Sequence, residues 1–552
     1  MFLISFNPSR KRITMKLRAL TVAVLTAISL TASPVFAQEG PQGGSIIVTY
    51  KDDIVTLDPA IGYDWVNWSI IKSLFVRLMD YKPGTAELVP SLAEGFDISA
   101  DGKTYTFKLR KGVKFHNGRE ITAQDVKYSL ERITNPKTES PGAGFFDSIS
   151  GMADFKGGKA KEVKGITVVD PSTVKFTLSR PDATFLHAMA INFASIVPKE
   201  AVDKAGKDFG KKIVGSGAFM MAEWKLGQQL VLKRNPDYFI KGLPKLDQIT
   251  FQVGLEPMTA ILKLEKGEAD FAGDGIPPAK FLQIRNDPKY KDMIIEGGQL
   301  QTGYVTMNVE MKPFDKLEVR QAVNMAIDKA RIVKIINNRA LVANQPLPPT
   351  MPGYDAAYKG YAYDPAAATE LLKKAGLEKG FETQLYVYNV DPNPRIAQAI
   401  QEDLSKVGIK VKLKNLAQAN VIAAGGKPKT APMIWSGGMA WIADFPDPSN
   451  FYGPILGCSG ATAGGWNWSW YCNKDLDRRA EAADAMSSPA KAAERAVLWK
   501  GIFTDIMKDA PWAPIFNEQR FSMRSKRLGG ADALFVDPVR IPINYDNVYI
   551  NK

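Results

Sequence analysis

Apolar and polar positions alternate with a period of two in TYTFKLRK, where Tyr105, Phe107 and Leu109 share a face. The same alternation in TVKFTLSR aligns Val174, Phe176 and Leu178, so residues 92–180 are expected to carry several half-buried strands. Upstream, GGSIIVTYKDDIVTLDPA predicts a strand that ends in a proline-containing loop. From residue 315 the period lengthens. LEVRQAVNMAIDKARIV puts Val319, Ala322, Val323, Ala326 and Ile327 on one face of a helix. A second helix is predicted to start at Asp364-Pro365, with aspartate as N-cap and proline at the first helical position, and to stop at Gly376. In PRIAQAIQEDLSKVG the residues Ile396, Ile400, Leu404 and Val407 line up, and after Gly408 the segment IKVKLKNL alternates as a strand. Helix, glycine stop and strand in succession predict an α/β domain.

One apolar run stands out. MIWSGGMAWIA carries no charge from Met433 to Ala443 and leads into DFPDP. If the whole run is a buried strand of a parallel sheet, Asp444 stands at its carboxyl end, where such sheets bind ligands. A carboxylate there either caps a turn before Pro446, as Asp447 would before Pro448, or receives a partner taken out of water.

The ends of the chain and its composition bound the class. Arg10, Lys11, Arg12, Lys16 and Arg18 precede an apolar stretch, Ala19 to Leu30, and then Val35-Phe36-Ala37. This is the pattern of a secretory signal peptide cleaved after Ala37, with translation starting at Met1 or Met15. Removing 37 of the 552 residues leaves 515, enough for two or three domains and too many for one core. The leader takes five positive charges with it, so the net charge falls from +13 to about +8, spread along the chain. No basic cluster interleaved with aromatics argues for nucleic acid, and no later stretch nears 18 continuous apolar residues, which predicts a soluble product. The two cysteines, Cys458 and Cys472, flank SGATAGGWNWSWY in an exported chain and are expected to form a disulfide. Their spacing is wrong for a redox pair, and two thiols without a nearby histidine do not make a zinc site.

Several long segments resemble the periplasmic solute-binding proteins of the peptide/nickel type (family 5, cluster C) that serve ABC transporters, closest in pattern to dipeptide- and oligopeptide-binding members. LVPSLAEGFDISADGKTYTFKLRKGVKFHNGREITAQDVKYSLER, residues 88–132, looks like the signature of that family. IVGSGAFMMAEWKLGQQLVLKRNPDYF, LEKGEADF, YVTMNVEMKPFDKLEVRQAVNMAIDK and LLKKAGLEKGF follow in the matching order. The resemblance implies an α/β, two-lobed periplasmic-binding-protein fold (type II) with a hinge and an additional third domain. Carried onto this chain, lobe I would comprise 38–85, 214–303 and 516–552, the extra domain 86–213, and lobe II 304–515. The lobes would close over ligand by a hinge motion.

The resemblance also implies a site. In peptide-binding members an aspartate a few residues past a tryptophan accepts the ligand's α-ammonium group, and WIADFPDPSNF is similar to that motif, with Asp444 at its acidic position. A primary ammonium taken out of water needs a negative partner, because an unpaired buried charge costs several kcal/mol, and a charge-assisted hydrogen bond supplies it. Five tryptophans crowd this region: Trp435, Trp441, Trp466, Trp468 and Trp470. They read either as core or as a rigid aromatic wall, with Trp441 and Trp468 as the ligand-facing candidates. On the opposite lobe the family touches ligand with the loop that here reads AIGYDWVNW, which nominates Tyr63 and Trp65.

One departure bears on ligand class. Dipeptide binders place an arginine just before the helix corresponding to PRIAQAIQ, to hold the ligand carboxylate. Here that stretch is LYVYNVDPNP, without an arginine. Tyr386, Tyr388 and Asn389 remain as polar candidates, and Arg395, inside the helix, reads as a solvated surface residue. Longer peptides, modified amino acids and other cationic solutes therefore stay open. The two histidines, His116 in KFHNG and His187 in TFLHAMA, lack metal-spaced partners, so neither a metal nor any other cofactor is expected.

The expected function is the periplasmic substrate-binding component of an ABC importer. It captures a peptide or another amine-bearing solute and, as a monomer, delivers it to the permease subunits in the inner membrane. A binder of an oligosaccharide, opine or polyamine-like solute on the same scaffold is the alternative. A secreted hydrolase is more remote, because GSGAF at 215–219 lacks a serine-elbow context and two histidines supply no triad-like set.

Overall fold

The computed structural model describes residues 40–534 and 543–551; the expected leader, Met1–Ala37, lies outside the described residues. The first strand, Ser45–Thr49 (β1), runs into a loop that Asp58 organises. Its carboxylate accepts the Ala60 amide and a bidentate pair of bonds from Arg132 at 2.9 and 2.5 Å. Helix Trp65–Leu74 (α1) follows, with Asp64 as N-cap accepting the Asn67 amide.

Residues 76 to 196 then supply nearly all of a separate core under a four-stranded antiparallel sheet. Its two central strands are Thr104–Leu109 (β2) and Thr173–Thr177 (β3). The alternation read from the sequence holds here: Tyr105, Phe107, Leu109, Val174, Phe176 and Leu178 are all buried.

The chain returns to the first lobe through Gln248–Gln252 (β4) and Phe271–Ala272 (β5), both parallel to β1. A 14-residue strand, Ile294–Met307 (β6), leads out of it. The second lobe is built from helix Leu317–Ala326 (α2), helix Pro365–Lys374 (α3), strand Phe381–Tyr388 (β7), helix Asn393–Ser405 (α4) and strand Ile409–Leu416 (β8). Asp364 caps α3 by accepting the Ala367 amide, and Gly376 follows its end at φ 72°. Val319, Ala322, Val323 and Ala326 of α2 meet Ile396, Ile400 and Leu404 of α4 in one core. Strand Met433–Trp435 (β9), helices Ser449–Ile455 (α5), Lys474–Asp484 (α6) and Ala492–Asp509 (α7), and strand Trp512–Arg524 (β10) complete the lobe.

One long sheet runs in the order β8-β7-β9-β6-β10-β5-β1-β4 and continues through Gln229–Arg234 and Phe219–Lys225. The antiparallel pair β6 and β10 belongs to both lobes. Ala513, Ile515 and Phe516 of β10 lie in the core around α2 and α4, whereas Phe521 and Met523 pack with Phe281 and Ile284 of the other lobe. Register slips between Gly298 and Thr302 and again between Gly303 and Tyr304, between the stretches that pack in these two cores. Irregular pairing breaks the ladder and lets strands bend. The result is the two-lobed α/β fold with a further domain beside the lobes.

The structure differs from the sequence reading at MIWSGGMAWIA. Only Met433–Trp435 is strand, parallel to β7 and antiparallel to β6. Gly437 sits so close to the Trp435 indole that an added Cβ would meet its Nε1 at 2.3 Å, and Gly438 turns the chain at φ +74°. The glycine pair ends the ladder, so Asp444 does not stand directly at a strand's carboxyl end.

Candidate functional site

After the Gly-Gly turn the chain is tied back to β6 at its irregular stretch. Ile442 bridges Gln301, the Ala443 amide donates to the Leu300 carbonyl at 2.9 Å, and Gln301 Nε2 donates to Ala440 O at 3.2 Å. That anchoring carries Asp444 into a position with 0 % exposure. Asn450, in the first turn of α5, organises the loop from the other side. Its Oδ1 accepts both Trp441 Nε1 (3.0 Å) and the Asp444 amide (2.9 Å), and its Nδ2 faces Asp444 Oδ2 at 3.4 Å.

The partner from across the molecule is Tyr63, whose phenol donates to Asp444 Oδ1 at 2.5 Å. Its ring is held by Trp68 and Phe193, with centroids at 5.6 and 5.2 Å. Phe445, next to Asp444, is buried in the core of the extra domain, stacked on His187 at 5.5 Å and edge-on to Phe145 at 6.0 Å. A cavity of about 320 Å³ lies between these elements, with Trp441, Asp444 and Asn450 on one side and Phe145 and Asp182 on the other.

Beneath the cavity is a buried ion cluster. Arg495 of α7 reaches Asp447 with two bonds, at 2.5 and 2.8 Å, and Asp484 with a third at 2.9 Å. Ser449 donates its amide to Asp447 and its hydroxyl to Asp484. Burial is the largest influence on both acids. Asp447 is nevertheless held below the usual carboxylate range by Arg495, whereas burial and the neighbouring Asp447 push Asp484 up to about 6. Asp447 does cap the turn at Ser449, and it is also an internal counter-ion.

The other candidates fall in different places. Trp441 is half-buried and meets Trp466 edge-on at 6.0 Å. Trp466, 40 % exposed, stacks on Trp468, but Trp468 itself is 2 % exposed and packs with Val421, Ala424, Ile434 and Met439 in a small core of its own. Trp435 is wholly buried, its Nε1 bonded to Asn393. Tyr388 ends β7 half-buried against Gly438, while Asn389 is exposed with its amide donated to Leu416. Trp65 opens α1, and its side chain lies outside the described residues. Arg395 forms an exposed ion pair with Asp391. Cys458 and Cys472 are joined in a disulfide.

Each histidine has its own partners. His116 accepts the Gly215 amide and faces Gly217 O, and His187 Nδ1 lies 2.8 Å from the Tyr81 hydroxyl. Burial lowers both to about 4, so they are neutral at pH 7.

Sequence reasoning missed Asn450, Arg495, Asp484 and the extra domain's Phe145. Asn450 could have been found as the last polar residue of DFPDPSN, at the start of a helix. Arg495 is 48 positions from Asp447 and carries no local signal.

Two lobes sharing a pair of crossing strands, with a buried carboxylate met from the opposite side, define a solute-binding protein. Comparison with known proteins bears this out. The family model described as "Bacterial extracellular solute-binding proteins, family 5 Middle" matches residues 87–463, and the chain belongs to that family. It is 32% identical to heme-binding protein A of Haemophilus influenzae over 87% of this chain and 86% of that protein. To the dipeptide-binding protein of Escherichia coli it is 34% identical over 84% and 87%. The solved structure of the ABC transporter-associated periplasmic binding protein DppA from Helicobacter pylori, in complex with peptide STSA, superposes with a TM-score of 0.75. That pair is 28% identical and covers 93% of this chain and 99% of the other. Among the described residues, no helix is long and apolar enough to cross a membrane. By its family the chain is a substrate-binding component of an ABC importer.

Proposed function

We propose that this protein captures a peptide or another amine-bearing solute, with Asp444 accepting the ligand's ammonium group, Trp441 walling it and Tyr63 meeting it from the opposite lobe. The observation that carries the reading is the fully buried Asp444, bonded to Tyr63 from a distant part of the chain, at the edge of a cavity. A carboxylate so placed, already shut off from water, would hold an arriving ammonium by a charge-assisted bond. Lobe boundaries near residues 303 and 515 are supported by the register slips there. The lobes would part and close about β6 and β10, and the closed protein, a monomer whose leader is cut after Ala37, would hand its ligand to the permease. No catalytic turnover and no nucleic-acid binding belong to this reading.

The ligand class leans toward amines over strict dipeptides. Arg395 is taken up by Asp391, and β7 ends in Tyr388 and exposed Asn389, so this edge offers no ready clamp for a carboxylate. The test is a thermal-shift panel of small peptides, diamines and sugars, in which a ligand at 100 times its Kd stabilises by about 2.7 kcal/mol. The best hit is then compared with its N-acetylated form and with Asp444→Ala. Both changes should weaken binding at least 30-fold, since removing one partner of a buried charge pair costs about 2–5 kcal/mol. Affinity unchanged by both would refute the reading.

A further inference from the structure

The cavity beside Asp444 extends past the point where an ammonium would sit, and its far wall is the extra domain. At about 320 Å³ it lies near the lower end of small-molecule sites, which span about 300–1,000 Å³. It therefore suits the side chain of a single residue at the amine end of a ligand. Phe145, Trp441 and Phe445 supply its aromatic walls, and besides Asp444 its acids are Asp147 and Asp182 from the extra domain and Asp484 from lobe II. The two sides meet directly here, where the Ala183 amide donates to the Asp484 carbonyl at 2.8 Å.

The charges do not balance. With Asp444 set aside for the ammonium, the charged residues lining the cavity are Asp147, Asp182, Asp484 and Arg180. Lys156 neutralises Asp147 at 2.8 Å. Asp484 shares the single guanidinium of Arg495 with Asp447, which leaves one negative charge on that trio. Asp182 adds a second, and exposed Arg180 offsets one of the two. Both bonds that Asp182 accepts from Thr184 go to the same oxygen, Oδ1. His187 is neutral at pH 7 and stays out of the count. One excess negative charge inside aromatic walls favours a cation at the end of an apolar stem, which gains from both ion pairing and ring faces.

We propose that this cavity is a side-chain pocket for a basic first residue, so that the preferred ligand carries an ammonium or guanidinium on its side chain in addition to its α-ammonium. The proposal rests on the reading of Asp444 as the ammonium acceptor and narrows the ligand class.

The test is calorimetric titration at pH 7.5 with the C-terminal amides of lysyl-alanine and norleucyl-alanine, which need no carboxylate clamp and whose first side chains match in length and differ in charge. The lysyl peptide should bind at least tenfold more tightly. Asp182→Asn should cut that ratio at least threefold. Equal binding of the two peptides to the wild-type protein overturns the pocket, a comparison that needs no variant to fold. Equal loss of both peptides in Asp182→Asn also overturns it. If both bind alike and both still need Asp444, the pocket alone is wrong. If neither binds, or if Asp444→Ala leaves both unchanged, the ammonium reading falls and the pocket with it.

Discussion

The phenol of Tyr63 donates to Oδ1 of Asp444 at 2.5 Å across 381 positions of sequence, joining the loop after the first strand to the loop that leads into α5. The two groups are held by different contacts: Tyr63 by the rings of Trp68 and Phe193, and Asp444 by Asn450 and the strap to β6. The bond is therefore made only when the two sides of the molecule meet.

Tyr63→Phe removes that bond while keeping the ring. A hydrogen bond to a charged group is worth about 1.5–3 kcal/mol, so ligand affinity should fall at least tenfold. Small-angle scattering at a fixed sub-saturating ligand concentration should report a larger average radius than for the wild type. Affinity and radius both matching the wild type would remove Tyr63 from the closing contact.

Arg495→Met should destabilise the protein by about 3–5 kcal/mol, because it strands Asp447 and Asp484 without their cation. Arg395→Met, which breaks only an exposed pair with Asp391, should cost about 0–1 kcal/mol. Denaturant midpoints of the two variants, read side by side, check the contrast.

Asp484 makes stability depend on pH with an unusual sign for a carboxylate. Its folded value is raised to about 6 by burial and by Asp447, above the ordinary 3.8. The folded state therefore holds the proton more tightly than the unfolded chain does. The stabilisation is fully present below the unfolded value and is lost as pH rises through about 6. Melting temperatures of wild type and Asp484→Asn should show the wild type gaining on the variant as pH falls from 7 to 5. The buried His116 and His187 pull the other way, losing stability as pH falls toward about 4, but they are common to both proteins and cancel in the difference.

Cys458→Ser with Cys472→Ser should lower stability by roughly 3 kcal/mol, the loop-entropy value for a loop of about 15 residues. Adding reductant should shift the wild type toward the variant and leave the variant where it was. The Trp466–Trp468 stack lies inside this loop, so tryptophan fluorescence follows the change.

Much of the fold was legible because its signals are local. The alternation at Tyr105, Phe107 and Leu109, the Asp364 cap and the Ile396, Ile400, Leu404 stripe each need only a few consecutive residues, and each holds in the structure. The apolar run to Ala443 misled for a physical reason: hydrophobicity says that a segment is buried, whereas the close approach of Gly437 to Trp435 decides where the strand stops. Trp468 shows the same limit. An aromatic in a polar-looking loop suggested a wall, but the ring found its own small core with Val421 and Ile434.

By itself the sequence determined the family, the α/β elements with their caps, the cysteine pair and the single carboxylate to suspect, because periodicity, capping and motif order are written along the chain. Only the tertiary structure decided that Tyr63 meets Asp444, that Arg495 neutralises Asp447 and that the extra domain closes a cavity over them. Those contacts join segments tens to hundreds of residues apart, and their geometry depends on how β6, β10 and the packed cores bring the loops together.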